Sequence, residues 1–263
     1  GRAGRRRLNM SVRIHSKLEQ IQGRLFIHYG DKVIHFERGD KANDNQRVLI
    51  KVHPDCRVIA KASPDVSDDD VRIAVKKRAC WIHDKLATFK KQLSDVRPRK
   101  YVSGESHLYL GRQHLLKVIV DTESKPQVKL LRGQLQVLVK ETNPDRVKAL
   151  LSDWYKAKAK EVFQRRLDSL LDKTLWVSER PEIRVLTMQT QWGSCSPKGL
   201  LTLNPHLVKA PRECVDYVIL HELCHIAEHN HSERFYRLMS QVMPEWEKIK
   251  SKLDASASKY LAV

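Results

Sequence analysis

Pro211-Arg212-Glu213-Cys214-Val215-Asp216-Tyr217-Val218-Ile219-Leu220-His221-Glu222-Leu223-Cys224-His225 is the stretch on which the reading of this chain turns. Proline and an acid at its start suit a helix N-terminus, where a missing N–H is harmless and the dipole favours negative charge. The apolar run Val218-Ile219-Leu220 predicts a largely buried helix from about Pro211 to Glu228. On that helix His221 and His225 stand one turn apart on one face, so both imidazoles can reach one metal ion. Glu222 lies about 100° around the helix. It can act on a metal-bound water without being a ligand, the geometry a general base needs. The competing reading is two histidines and a glutamate on an ordinary helix surface. The apolar lead-in argues against it, because buried imidazoles need partners and a metal supplies them.

A zinc site needs a third protein ligand. His229 keeps the four-residue spacing, but on an unbroken helix it lies about 12 Å along the axis from His221. His231 can ligate only if the chain leaves the helix between Glu228 and Asn230, with Asn230 able to adopt the left-handed conformation of such a turn. Ser232 then caps a following helix that carries Glu233 in its first turn and Phe235, Leu238, Met239 and Val242 on one side. His231 is the preferred third ligand; Glu245 and Glu247 are the alternatives. Zn²⁺ is inferred from ligand type, and nickel, cobalt or iron suit the same imidazoles. Tyr236, Tyr217 and His206 are candidate donors to a developing oxyanion. Cys195 reads better as a small core residue than as a ligand or nucleophile.

Upstream, apolar residues alternate from about Arg13 to Ala62, punctuated at Gly30, Gly39-Asp40, Asn43-Asp44 and Pro54-Asp55. This predicts antiparallel strands. Ser67 before Asp68-Asp69-Asp70 caps a helix that should run to about Val96, short of Pro98. More strands follow at Leu108–Leu110, Leu115–Val120, Val128–Leu131 and Leu135–Val139. Asn143-Pro144-Asp145 then opens a long helix to about Leu175. The last third reads as a strand (Ile183–Met188), a hairpin (Gln191–Leu203), the histidine-bearing helix and one or two closing helices. No internal repeat and no low-complexity linker is read. The class is α+β: an antiparallel strand-rich N-terminal region with long helices, then a second region bearing the metal motif.

The chain has 263 residues and a formal net charge of +18. The excess lies upstream; the stretch from residue 181 onward is almost neutral. A basic N-terminal half can dock on DNA or RNA, or simply keep a protein soluble. No apolar run approaches the roughly 20 residues that cross a bilayer, and the basic N-terminus lacks an apolar signal core. The odd set Cys56, Cys80, Cys195, Cys214 and Cys224 holds no CxxC pair, which fits a reducing, cytoplasmic location. Residues 1–9 precede the first methionine and read as a tag or an upstream segment.

The H-E-x-x-H-x5-H ligand spacing is shared with metzincins, which carry glycine where Glu228 stands. A different resemblance is broader. Gln191-Trp192-Gly193-Ser194-Cys195-Ser196, then Gly199-Leu200-Leu201-Thr202-Leu203-Asn204, then His221–His225, then Asn230-His231-Ser232 and Phe235 resemble in that order the YgjP-like zinc metallopeptidases. These are related to SprT-like and WLM-type peptidases. Looser matches are Trp81-Ile82 and Tyr101–Glu105 with Tyr109-Leu110-Gly111. One departure is Gln191, where the family leads one to expect arginine. The resemblance implies a strand-rich basic region over 10–140 and a zincin-like metallopeptidase domain over 141–263. It implies hydrolysis of protein or peptide substrates, with Glu222 as general base beside zinc on His221, His225 and His231. It also implies that a strand near Leu200–Leu203 binds the substrate backbone, unless that strand is only core. Two other activities stay open: a nucleic-acid-associated protein, and a metal-dependent hydrolase of a non-peptide amide.

Overall fold

A computed structural model describes residues 24–41, 48–94, 97–188 and 191–262. The segment 1–9, the start of the strand region at Arg13 and the Asn43-Asp44 turn lie outside the described residues. The chain divides into two compact units between residues 95 and 96. Both mix strands and helices, so the class is α+β, as the sequence predicts.

In the first unit, strands β1 (Leu25–Tyr29), β2 (Lys32–Asp40), β3 (Leu49–Val52) and β4 (Val58–Ala62) form one sheet in the order β1-β2-β4-β3. Helices α1 (Asp68–Lys77) and α2 (Ala79–Ser94) follow. The single helix expected over this region is broken at Arg78, where φ is −108° and the backbone N–H turns back to Val75 and Lys76 carbonyls. Val71 and Val75 of α1 and Ala79 and Ile82 of α2 bury against Ile27, Ile34, Phe36, Val58 and Ala60.

The second unit opens with β5 (Ser106–Tyr109), β6 (Arg112–Val120), β7 (Gln127–Leu131) and β8 (Gln134–Val139) in the order β5-β6-β8-β7. Helix α3 (Pro144–Leu171) comes next, its first turn capped by the Asn143 side chain with proline at its start. It is followed by a small sheet in which β11 (Leu201–Leu203) lies between β10 (Gly193–Cys195) and β9 (Ile183–Val185). A 3-10 turn (Pro205–Lys209) leads into α4 (Arg212–Ala227), then α5 (Glu233–Val242), α6 (Trp246–Ala255) and α7 (Ala257–Leu261). The strand read as a substrate platform, β11, is therefore central and fully buried. Its neighbours β10 and β9 are the two edges.

The two units repeat one plan, although no internal repeat is evident in the sequence. In each, a hairpin is followed by a parallel crossover and an antiparallel return: β2 runs parallel to β4 and β3 antiparallel to it, as β6 and β7 do to β8. The hairpins share a register, Tyr29 opposite Lys32 and Ile27 opposite Ile34 in one, Tyr109 opposite Arg112 and His107 opposite His114 in the other. Val58, Ala60 and Ala62 turn inward from β4 as Leu135, Val137 and Val139 do from β8. Lys41 N–H reaches the Ala62 carbonyl at 3.0 Å, and Asp121 N–H reaches that of Val139 at 2.9 Å. Ser67 caps α1 and Asn143 caps α3 at the same point.

Candidate metal centre

Helix α4 is almost wholly buried along Cys214–Leu220, which fixes its rotation and turns His221 and His225 to a common side. Two long-range ties hold it. The Arg166 guanidinium of α3 grips Asp216 through both carboxylate oxygens at 2.7 and 2.8 Å. The Trp176 indole N–H donates to the Leu223 carbonyl at 2.8 Å. Ahead of α4, the β5–β6 turn docks on the chain: Leu110 and Gly111 N–H groups donate to the Val208 and Lys209 carbonyls at 2.8 and 3.0 Å. Gly111 has φ +78°, and a Cβ there would lie 2.8 Å from Pro211 Cγ.

The helix ends at Ala227. Glu228 leaves it in an extended conformation, with φ −142° and ψ 101°. The expected left-handed Asn230 is not used: among described non-glycine residues positive φ occurs at Cys56, Tyr101, Leu110 and Arg132. The return is made instead by a Ser232 N–H bond to the Asn230 carbonyl at 2.8 Å, after which Ser232 caps α5 through Phe235 N–H.

This turn brings His231 back to the helix. Potential ligand atoms of His221, His225 and His231 all lie within 4.8 Å of one another. The Nε2 atoms of His221 and His231 are 3.0 Å apart. His225 Nδ1 is 3.1 Å from the Glu228 carbonyl, so its Nδ1–H can donate there and leave Nε2 for a metal. The Phe235 ring packs on all three imidazoles, with centroids 4.7–4.9 Å away. Burial, then the neighbouring His225 and His231, pushes His221 down to about 3, into the neutral form that ligates. Three imidazoles converging this way fit a tetrahedral ion, whose ligand nitrogens stand about 3.3 Å apart for bonds of 2.0–2.1 Å. His229 is exposed and outside the group. So are Glu245, which pairs with Lys248, and Glu247.

Glu222 is 5% exposed, and burial pushes its carboxyl up to about 8. It lies against β10. A Cβ on Gly193 would come within 2.9 Å of Glu222 Oε1 and 3.0 Å of its Cγ. The glycine in Trp192-Gly193-Ser194-Cys195 thus makes room for the carboxylate, a role the sequence does not announce. Burial, then the Glu222 charge, pushes the Cys195 thiol up to about 11, the behaviour of an unreactive core thiol. Fully buried Asn204 ties the hairpin to the 3-10 turn: its amide donates to the Met188 and Gln191 carbonyls, and its oxygen accepts from His206 N–H. Gln191, the departure noted above, is held by its backbone while its side chain faces solvent. Of the oxyanion candidates, Tyr217 is buried edge-on against His221. Tyr236 stacks on His231 and on Trp246. His206 lines a separate cavity.

The sequence profile of the YgjP-like, metallopeptidase domain family matches residues 46–256. The chain belongs to the YgjP-like metallopeptidase family. Among curated proteins none matches the chain. Of solved structures, the metallopeptidase zymogen of Pyrococcus abyssi abylysin is 23% identical and covers 36% of this chain and 90% of its own, with a TM-score of 0.31. The metallopeptidase zymogen of Methanocaldococcus jannaschii jannalysin is 29% identical over 36% of this chain and 92% of its own, with a TM-score of 0.30. Family membership makes this YgjP-like chain a metal-dependent peptidase by class. No helix among its described residues is long and apolar enough to cross a membrane.

Proposed function

We propose that this chain is a zinc peptidase in which His221, His225 and His231 hold the metal and Glu222 is the general base. The observation that carries the reading is the convergence of three imidazoles within 4.8 Å beside a buried carboxylate. Zinc bound there would acidify a coordinated water and polarise the scissile carbonyl. Glu222, held by the wall of Gly193, takes the proton of the attacking water and returns it to the leaving amine. The backbone of β10, an edge strand beside α4, is where an extended substrate can add as a further strand. Tyr236 suits the role of donor to the carbonyl oxygen better than Tyr217, because it is 41% exposed beside His231 while Tyr217 is buried.

Metal analysis with peptide hydrolysis tests this. Wild type and His229→Ala should each carry one zinc. His231→Ala should lose affinity by more than the roughly 10–100-fold that removal of an outer hydrogen-bond partner costs. Glu222→Gln should keep its zinc and lose about 10²–10⁴ in rate. A Gln variant that cleaves as fast as the parent refutes the mechanism.

A further inference from the structure

The second unit contains a cavity of about 40 Å³ that the peptidase reading does not use. By volume it holds about three waters. Arg99, His107, Lys148, Lys156, His206 and Lys209 line it, and no aspartate or glutamate does. Its floor is built and buried. Lys209 is 8% exposed, lies over the Tyr155 ring at 5.0 Å and donates to the Ala262 carbonyl at 3.1 Å. His107 is 5% exposed and bonds to Glu105, whose carboxylate is already engaged by the Lys100 and Tyr101 N–H groups. The Arg99 guanidinium donates to the Ser106 carbonyl. The rim is Lys148, Ser152 and Lys156, one stripe of α3 at four-residue spacing and exposed to solvent. Neither Lys148 nor Lys156 has a carboxylate in ion-pair range among the described residues. The His206 imidazole has no hydrogen bond there either.

The first unit supplies an internal control. At the register where His107 stands opposite His114, it has Ile27 opposite Ile34, both in its apolar core. The same plan can therefore be filled with hydrocarbon. The second unit instead gathers basic groups, which burial first and then one another hold below their ordinary pKa values: Arg99 acts on His107 and Lys209, Lys209 and Lys156 on His206. Among the residues that line the cavity no carboxylate offsets these basic groups, and a multivalent anion seated there would favour their protonated forms.

We propose that this cavity binds a phosphate-like oxyanion, either free in solution or carried by a small phosphomonoester. Lys209, Arg99 and His206 would meet it from below, and Lys148 and Lys156 from the rim. Charge-assisted bonds from lysine and arginine suit such a group. The proposal does not depend on the metal assignment.

Titration calorimetry on the full chain at constant ionic strength tests it, using inorganic phosphate and O-phosphoserine in separate arms. One saturable equivalent is expected below about 10 mM. It should weaken about tenfold or more in Lys148→Gln/Lys156→Gln, whose changes lie on an exposed helix face. It should persist in His225→Ala, which excludes binding at the histidine cluster. Equal affinity in both arms points to free anion, and tighter phosphoserine binding points to a phosphomonoester. No saturable binding in either arm, undiminished binding in the lysine variant, or binding lost in His225→Ala would each overturn the proposal.

Discussion

At Gly193 the side chain that is missing matters as much as any present. Its Cα–H faces the Glu222 carboxylate so closely that a methyl group must displace it. On the role proposed for Glu222, Gly193→Ala should leave zinc content unchanged and lower kcat about a hundredfold, since misplacing a catalytic group by about 1 Å costs that much. Steady-state kinetics beside metal analysis check this; an unchanged kcat would mean that Val218, also 3.0 Å from the added atom, gives way instead. The histidines were legible because i, i+4 spacing on a buried helix is a local signal. His231 was legible because geometry left His229 too far along the axis. The Gly193 contact was not, because a glycine in a short hairpin reads first as a turn residue.

Among elements, the turn Leu110-Gly111 links sheet to metal helix. It has a twin in Arg132-Gly133, where both residues also take positive φ. The twins separate strain from packing. Gly133 has open space where a Cβ would stand, whereas Gly111 faces Pro211 at 2.8 Å. Gly133→Ala should cost about 1–2 kcal/mol of backbone strain. Gly111→Ala should cost about 2–4 kcal/mol, strain plus overpacking. Denaturant unfolding of the two variants measures the difference. Helix α3 was read from its Asn143-Pro144 cap, a strong local start signal. The break at Arg78 was not, because Val71, Ile73 and Val75 before it and Trp81 and Ile82 after it keep a roughly helical period. Whether β11 or β10 is the edge is a question of pairing between distant segments, on which a single strand's composition is silent.

For the whole molecule, stability should respond to metal and to pH. A chelator removes a ligand that binds only the folded state, so it should lower Tm; zinc at 100 times Kd restores about 2.7 kcal/mol. Lys209 should add a pH signature. Burial, then Arg99, lowers it from 10.5 to about 7. Between those values the unfolded chain binds a proton that the folded chain lacks, so stability rises with pH across that window. Arg99, His107, Lys156, His206, Tyr101 and Tyr155 surround it in the same cavity. Lys209→Met should flatten the rise; an identical slope in the variant would show that the lysine stays charged. The α+β class was readable from alternation and caps. The repeat was not, because the offset between matching residues drifts from one strand pair to the next, Ile27 to His107, then Ala60 to Val137, then Ser67 to Asn143. What recurs is inward-facing alternation and a cap, not residue identity.

The order of the elements also sets a timetable. Both four-stranded sheets and α3 precede the histidine helix, and His231 comes after the turn that ends it. During vectorial synthesis the sheets can form while no complete ligand set yet exists. A nascent chain arrested just before His231 should thus carry folded sheets but no tightly held zinc. Any hydrolytic capacity would then arrive only after both four-stranded sheets and α3 have been made.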